Sequence, residues 1–336
     1  MNVAKAIVGS AAAGALTALT VYQLARAAER DHPPKGRFVD IDGVGIHVLE
    51  RGNGEPILYL HGNGGMIEEV EATGLVEAFA THHHVIVPDR PGFGHSPRSR
   101  AIDWTPERQA RVIAAMLDAV DHRPAIIIAH SWGTLVALAL ALQRPDRVRG
   151  LVLISGFYFP EPRADIVLAV PAIPVIGDVM RYTVSPIVGY ATADRVFEKV
   201  FAPNPVTTRF KAHFPVLMGL RPWQLRAAAE EVASMHPGAE RLSHRYGENK
   251  CPVELLAGGS DRIIDPQRQT MRLARHIPHA DLRIIDGVGH MLPHIDPDAV
   301  LEAVKRLATF PHPIRDRVLS PSARAGADAA SNTGAR

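Results

Sequence analysis

The chain has 336 residues, of which 46% are hydrophobic and 21% charged, enough for one large α/β domain with an insertion or for two ordinary domains. Its formal net charge is +2, and no cluster of Lys and Arg interleaved with aromatics marks a face for nucleic acid, so a nucleic-acid partner is not expected. A lone cysteine, Cys251, excludes any disulfide within the chain.

Ala6–Ala25 is uncharged for 20 positions, about the length that crosses a bilayer core as a helix. Seven alanines, two glycines and two threonines dilute its larger apolar residues. The segment is expected to be an uncleaved membrane anchor within residues 1–30, because Arg26, Glu29 and Arg30 follow it where a cleavage site would lie. The basic residues Arg26, Arg30, Lys35 and Arg37 on that side point to a cytoplasmic catalytic domain.

Strands begin at Arg37. Arg37–Asp40 and Ile46–Glu50 read as a hairpin around Gly43 and Gly45, and Pro56–Leu60 runs into the glycine-rich loop His61-Gly-Asn-Gly-Gly65. Three histidines, His82–His84, enter the next strand. Consecutive strand residues face opposite sides and cannot converge on one ion, so no metal site is assigned. Thr105-Pro106-Glu107 carries the capping side chain, first-turn proline and acidic residue that open a helix, which runs to about Val120.

Ile126-Ile-Ile-Ala-His-Ser-Trp-Gly133 is an apolar run that breaks on Ser131 and continues in a helical pattern from Thr134. That order predicts a buried strand, an abrupt turn carrying Ser131, then a helix. Small residues at Ala129 and Gly133 suit the close approach such a turn needs. Gly150–Ile154 is the next strand. After Ser155 the rhythm breaks: residues 157–249 hold ten prolines between short apolar or amphipathic runs and predict short helices that cap the domain. The sheet resumes at Val253–Ala257 and Asp281–Ile285, separated by a helix at Gln267–His276, and Asp296–Thr309 closes the domain as a helix. Residues 315–336, rich in Ala, Ser, Gly, Arg and Asp, read as a disordered tail. Alternating apolar strands and helices predict an α/β fold with a mostly parallel sheet covered on both faces.

The turn at Ser131 resembles the nucleophile elbow of the α/β-hydrolase family, with Ala129 in place of the first glycine of its Gly-x-Ser-x-Gly pattern. The resemblance covers about Arg37–Phe310. It implies an α/β-hydrolase core over residues 37–156 and 250–312, with a helical cap over 157–249. It also implies a triad in the order Ser131, Asp261, His290, each on the loop after a parallel strand. Asp265 precedes Pro266 as a helix cap would, His294 lies beyond the loop position of the base, and Glu161 occupies a place where some family members keep their acid. These three are the rivals. The oxyanion donors implied are the N–H groups of Asn63 and Trp132.

Serine at the elbow, rather than aspartate, points away from the dehalogenase and epoxide-hydrolase branches and toward an acyl-enzyme. The expected activity is hydrolysis of a small to medium apolar carboxylic ester, with no cofactor. Amide or iminopeptide, thioester or lactone, and carbon–carbon bond hydrolysis share the same residues. A non-catalytic scaffold binding an apolar ligand or a partner is the reading of another class.

Overall fold

The computed structural model describes residues 3–161 and 164–309. Eight strands form one sheet in the order β1-β2-β4-β3-β5-β6-β7-β8. They are β1 (Arg37–Ile41), β2 (Val44–Arg51), β3 (Glu55–Leu60), β4 (His83–Pro88), β5 (Ala125–His130), β6 (Val148–Ile154), β7 (Val253–Gly258) and β8 (Ala280–Ile285). β1 and β2 form the predicted hairpin, closed by Asp42 and Gly43 at φ of 52° and 81°, and β2 also pairs antiparallel with β4. From β4 to β8 every pairing is parallel.

The helices are α1 (Val3–Asp31), α2 (Ile67–Glu71), α3 (Leu75–Ala80), α4 (Pro106–Val120), α5 (Gly133–Gln143), α6 (Ile176–Tyr182), α7 (Val184–Phe201), α8 (Thr208–His213), α9 (Val216–Gly219), α10 (Pro222–Ser243), α11 (Thr270–His276), α12 (Leu292–Ile295) and α13 (Pro297–Thr309). Strand β5 shows why the sheet is covered twice. Ala125, Ile127 and Ala129 join an apolar core with α4 and α5 on one face, while Ile126 and Ile128 join a second core with α3 and α13 on the other. Thr105 caps α4 as its sequence suggests, its Oγ1 accepting from the Arg108 N–H at 3.2 Å.

Helices α6 to α10 all lie between β6 and β7. They are not uniformly short: α7 has 18 residues and α10 has 22. Pro222 opens α10 at its first position, where no hydrogen bond is lost, so proline there starts a long helix instead of ending one; Pro237 lies inside it. Helix α11 starts later than Gln267, since Asp265 Oδ1 holds the Gln267 and Arg268 N–H groups in a turn that precedes it.

The membrane anchor expected in residues 1–30 is overturned. Among the described residues no helix is long and apolar enough to cross a membrane, α1 included. The alanines, glycines and threonines dilute its hydropathy below that of a span, and its second half is built into the fold. Val21, Ala25 and Ala28 are buried, Ala28 against Met66 and Met218. Glu29 Oε1 accepts from Arg221 Nη1 at 2.8 Å, and the His32 carbonyl accepts from His95 Nε2 at 2.8 Å. The predicted tail, 315–336, lies outside the described residues.

Candidate active site

Ser131 follows β5 with φ of 51°, a left-handed backbone that side chains rarely adopt and that here turns the chain sharply from strand into α5. The turn works because its neighbours are small: a β-carbon at Gly133 would lie 2.7 Å from the carbonyl oxygens of Leu60 and His61. Ala129, in contrast, sits fully buried without displacing β5 from its register with β3, so a methyl group is accommodated where the motif has its first glycine.

The loops after β7 and β8 bring the two partners to Ser131. His290 Nε2 accepts from Ser131 Oγ at 3.0 Å, and His290 Nδ1 donates to Asp261 Oδ2 at 2.8 Å. Asp261 Oδ1 in turn accepts from the N–H groups of Ile263 and Ile264 at 2.7 and 2.9 Å, so both carboxylate oxygens are held. A neutral imidazole with its Nδ1 proton fixed in this way presents Nε2 as the acceptor, which is what a base for the serine proton needs. The two loops touch backbone to backbone: a β-carbon at Gly258 would lie 2.3 Å from the carbonyl oxygens of Val288 and Gly289, and Ser260 N–H donates to Val288 O at 2.9 Å.

Of the rivals, Asp265 holds only the turn before α11, and Glu161 lies 3.9 Å from exposed Arg268. His294 is buried and donates from Nε2 to Glu69 Oε1 at 3.1 Å. None of the three joins the Ser131 chain of hydrogen bonds.

The main-chain N–H groups of Asn63 and Trp132 flank the elbow, and neither donates to another group among the described residues. The side chains of both are fastened to α10. Asn63 Nδ2 donates to Ala228 O at 2.9 Å, and Trp132 Nε1 to Glu231 O at 3.0 Å.

Sequence reasoning missed the residue that braces this region, Arg90. Wholly buried, it donates from Nε to His61 O at 2.9 Å, from Nη2 to Gly62 O at 2.8 Å, and from Nη1 to Gln109 Oε1 at 3.0 Å. Its guanidinium also pairs with Glu231 through both carboxylate oxygens and lies 4.8 Å from the Trp132 ring centroid. One planar fork therefore grips the glycine-rich loop, stacks on the residue after the serine and anchors α10. Asn204, between α7 and α8, was also missed: its side chain donates to Gly287 O and accepts from Gly289 N–H, both at 3.1 Å, clamping the His290 loop.

The surroundings keep neighbouring histidines neutral. Burial, then the Arg90 charge, pushes His61 down to about 4, and burial, then His290, pushes His130 down to about 4. His61 Nε2 accepts from Arg90 N–H while Nδ1 faces Gly62 O, an arrangement that only the neutral ring allows. Above Ser131 a cavity of about 400 Å³ is walled chiefly by apolar side chains, including Phe157, Phe197, Phe214, Val232, Met235 and Ile264.

A sequence model for the alpha/beta hydrolase fold matches residues 55–297. The cis-3-alkyl-4-alkyloxetan-2-one decarboxylase of Shewanella oneidensis is 26% identical over 298 residues, spanning 82% of this chain and 89% of the relative. Haloalkane dehalogenase 2 of Mycobacterium tuberculosis is 27% identical over 285 residues, spanning 81% of this chain and 94% of the relative. Among solved structures, the enol-lactonase of Burkholderia xenovorans aligns with a TM-score of 0.62 over 81% of this chain and 100% of that one. At 21% identity that likeness is one of fold.

Proposed function

Because the chain belongs to the α/β-hydrolase fold family, we propose that it is a serine hydrolase that cleaves a small to medium apolar carboxylic ester through an acyl-enzyme. The observation that carries this reading is the unbroken line from Ser131 Oγ through His290 to Asp261, with hydrogen bonds of 3.0 and 2.8 Å, beside two free main-chain N–H groups. As Ser131 attacks a carbonyl, His290 takes its proton and Asp261 steadies the imidazolium that results. Negative charge gathers on the former carbonyl oxygen, which the N–H groups of Asn63 and Trp132 receive. His290 passes its proton to the leaving alcohol, then draws a proton from water, which attacks the acyl-enzyme and frees the acid.

The names of the relatives span several reactions, so the chemistry is argued from the site. Serine at the elbow favours the acyl-enzyme over halide displacement, and the apolar cavity of about 400 Å³ favours a carbon chain over a charged substrate. A fluorophosphonate probe tests the reading directly. The wild-type chain is expected to be labelled at Ser131, and Ser131→Ala to lose both labelling and p-nitrophenyl ester turnover, the latter by several orders of magnitude. An unlabelled wild type would favour the non-catalytic scaffold; labelling that survives Ser131→Ala would place the nucleophile elsewhere.

A further inference from the structure

Glu69, on α2 behind the glycine-rich loop, has no part in the reaction just described, yet it belongs to the wall of the same cavity as Ser131. The residue is 4% exposed. Its Oε1 accepts from His294 Nε2 at 3.1 Å, whereas Oε2 is buried with no hydrogen-bond partner. Among the described residues lining the cavity, Glu69 is the one with a buried side-chain polar atom left unpaired. Gly65 keeps the space beside that oxygen open, since a β-carbon there would lie 2.7 Å from Oε2. Burial by itself raises the Glu69 carboxyl, but the hydrogen bond from His294 holds it below its ordinary value. It is therefore a carboxylate. A buried carboxylate oxygen without a donor is an unfavourable arrangement that native structures keep sparingly.

We propose that Glu69 Oε2 is a specificity subsite that accepts a hydrogen bond from a hydroxyl group carried by the ester; the inference rests on the serine-hydrolase reading above. The donor count selects a hydroxyl over an ammonium. A hydroxyl has one proton to place, and Oε2 takes it. An ammonium has three, and a cavity lined chiefly by apolar side chains such as Phe157, Phe210, Phe214 and Met291 is poor in acceptors for the other two. The substrate class is thus a hydroxylated ester whose carbon chain lies along the aromatic wall while its hydroxyl reaches α2. An ester without the hydroxyl leaves Oε2 desolvated and unpaired, which is the kind of difference a binding site converts into strong discrimination.

The test compares kcat/KM for p-nitrophenyl hexanoate and its hydroxyhexanoate isomers, and for hexyl acetate and its hydroxyhexyl isomers, in wild type, Glu69→Gln and Glu69→Leu. The readout is the ratio of each hydroxylated ester to its parent within one protein, so a general loss in a variant cancels. In wild type at least one isomer is expected to exceed its parent by about 10- to 100-fold. The acyl and alcohol arms identify which side of the ester carries the hydroxyl. The ratio should fall to about one in Glu69→Leu and in Glu69→Gln, where an amide N–H₂ replaces the acceptor at nearly constant size. Fluorophosphonate labelling reports that each variant retains a working elbow, and the wild-type ratios test the subsite even where a variant is not labelled. Labelled, active wild type with no hydroxyl preference, as an ordered water on Oε2 would give, overturns the subsite alone. A preference that survives in a labelled variant also overturns it. Absence of labelling and of all ester turnover in wild type overturns the serine-hydrolase reading, and the subsite with it.

Discussion

The pair Arg90 and Glu231 should behave as one unit, and a double-mutant cycle measures whether it does. Both side chains are fully buried. Arg90→Met takes from the Glu231 carboxylate its bidentate partner, leaving it Gln109 Nε2 at 3.1 Å and the more distant Arg98 Nη1 at 4.0 Å, and it also removes the donors at 2.9 and 2.8 Å from the His61 and Gly62 carbonyls. Gly62 O still has His61 Nδ1 at 2.8 Å, so the His61 carbonyl suffers the larger loss. Breaking a buried pair from one side costs about 3–5 kcal/mol. An orphaned carbonyl adds about 1–3 kcal/mol, and Glu231→Met strands Arg90 at a similar cost. Removing both charges together leaves no buried ion alone. The double variant should therefore lose less than the sum of the singles by about 2–3 kcal/mol, read from denaturant midpoints at unchanged slope. Even so, its rate of fluorophosphonate labelling should fall, on the order of 10- to 100-fold, because the loop carrying Asn63 and the Trp132 ring lose their common brace. Additive single-variant losses, or a double variant labelled at the wild-type rate, would refute the reasoning.

The two candidate acids separate by kinetics against stability. Asp261→Asn should lower kcat on the order of 10³–10⁴-fold, since the imidazole loses its orienting partner, while Asp265→Asn should cost about 1 kcal/mol of stability and little activity; the reverse ranking would transfer the role to Asp265. Stability should also fall on acidification. His61 and His130 are lowered from 6.5 to about 4 in the folded chain, so the unfolded chain binds more protons between those values. Stability that is complete above about 6.5 is then lost as pH falls toward about 4, by up to about 3 kcal/mol per histidine. Denaturant midpoints that stay flat from pH 7.5 to 4.5 would contradict the burial of two neutral imidazoles.

Local patterns were the legible part of this chain. The hairpin, the capped start of α4 and the strand, turn and helix around Ser131 each follow from neighbours within about ten residues, and the order of Ser131, Asp261 and His290 along the chain directed attention to residues that the fold does bring within hydrogen-bond distance. What sequence could not give was pairing across distance. Glu29 and Arg221 are 192 positions apart, and Arg90 and Glu231 are 141. Composition made Ala6–Ala25 look like a span because its charges lie outside it, although small residues such as Ala25 and Ala28 serve equally to let a helix pack closely against protein. Prolines misled about the insertion for a related reason: at the first position of α10 a proline marks a beginning.

Helix α10 is fastened to the sheet side by Asn63 on Ala228, by Trp132 and Arg90 on Glu231, and by Arg98 on Glu230 at 2.6 Å. It cannot swing outward as a lid without dragging Asn63 and Trp132, on either side of the turn at Ser131, from their places. Leu168 and Val196 line the cavity and are also exposed to solvent, so they mark a way in to Ser131 that leaves α10 in place. Side-chain motion at that doorway opens a path while the reacting geometry stays assembled. Substitutions at Leu168 and Val196 are accordingly expected to change which molecules enter, and substitutions at the fastening points Glu230 and Glu231 of α10 to disturb the loop and the elbow themselves.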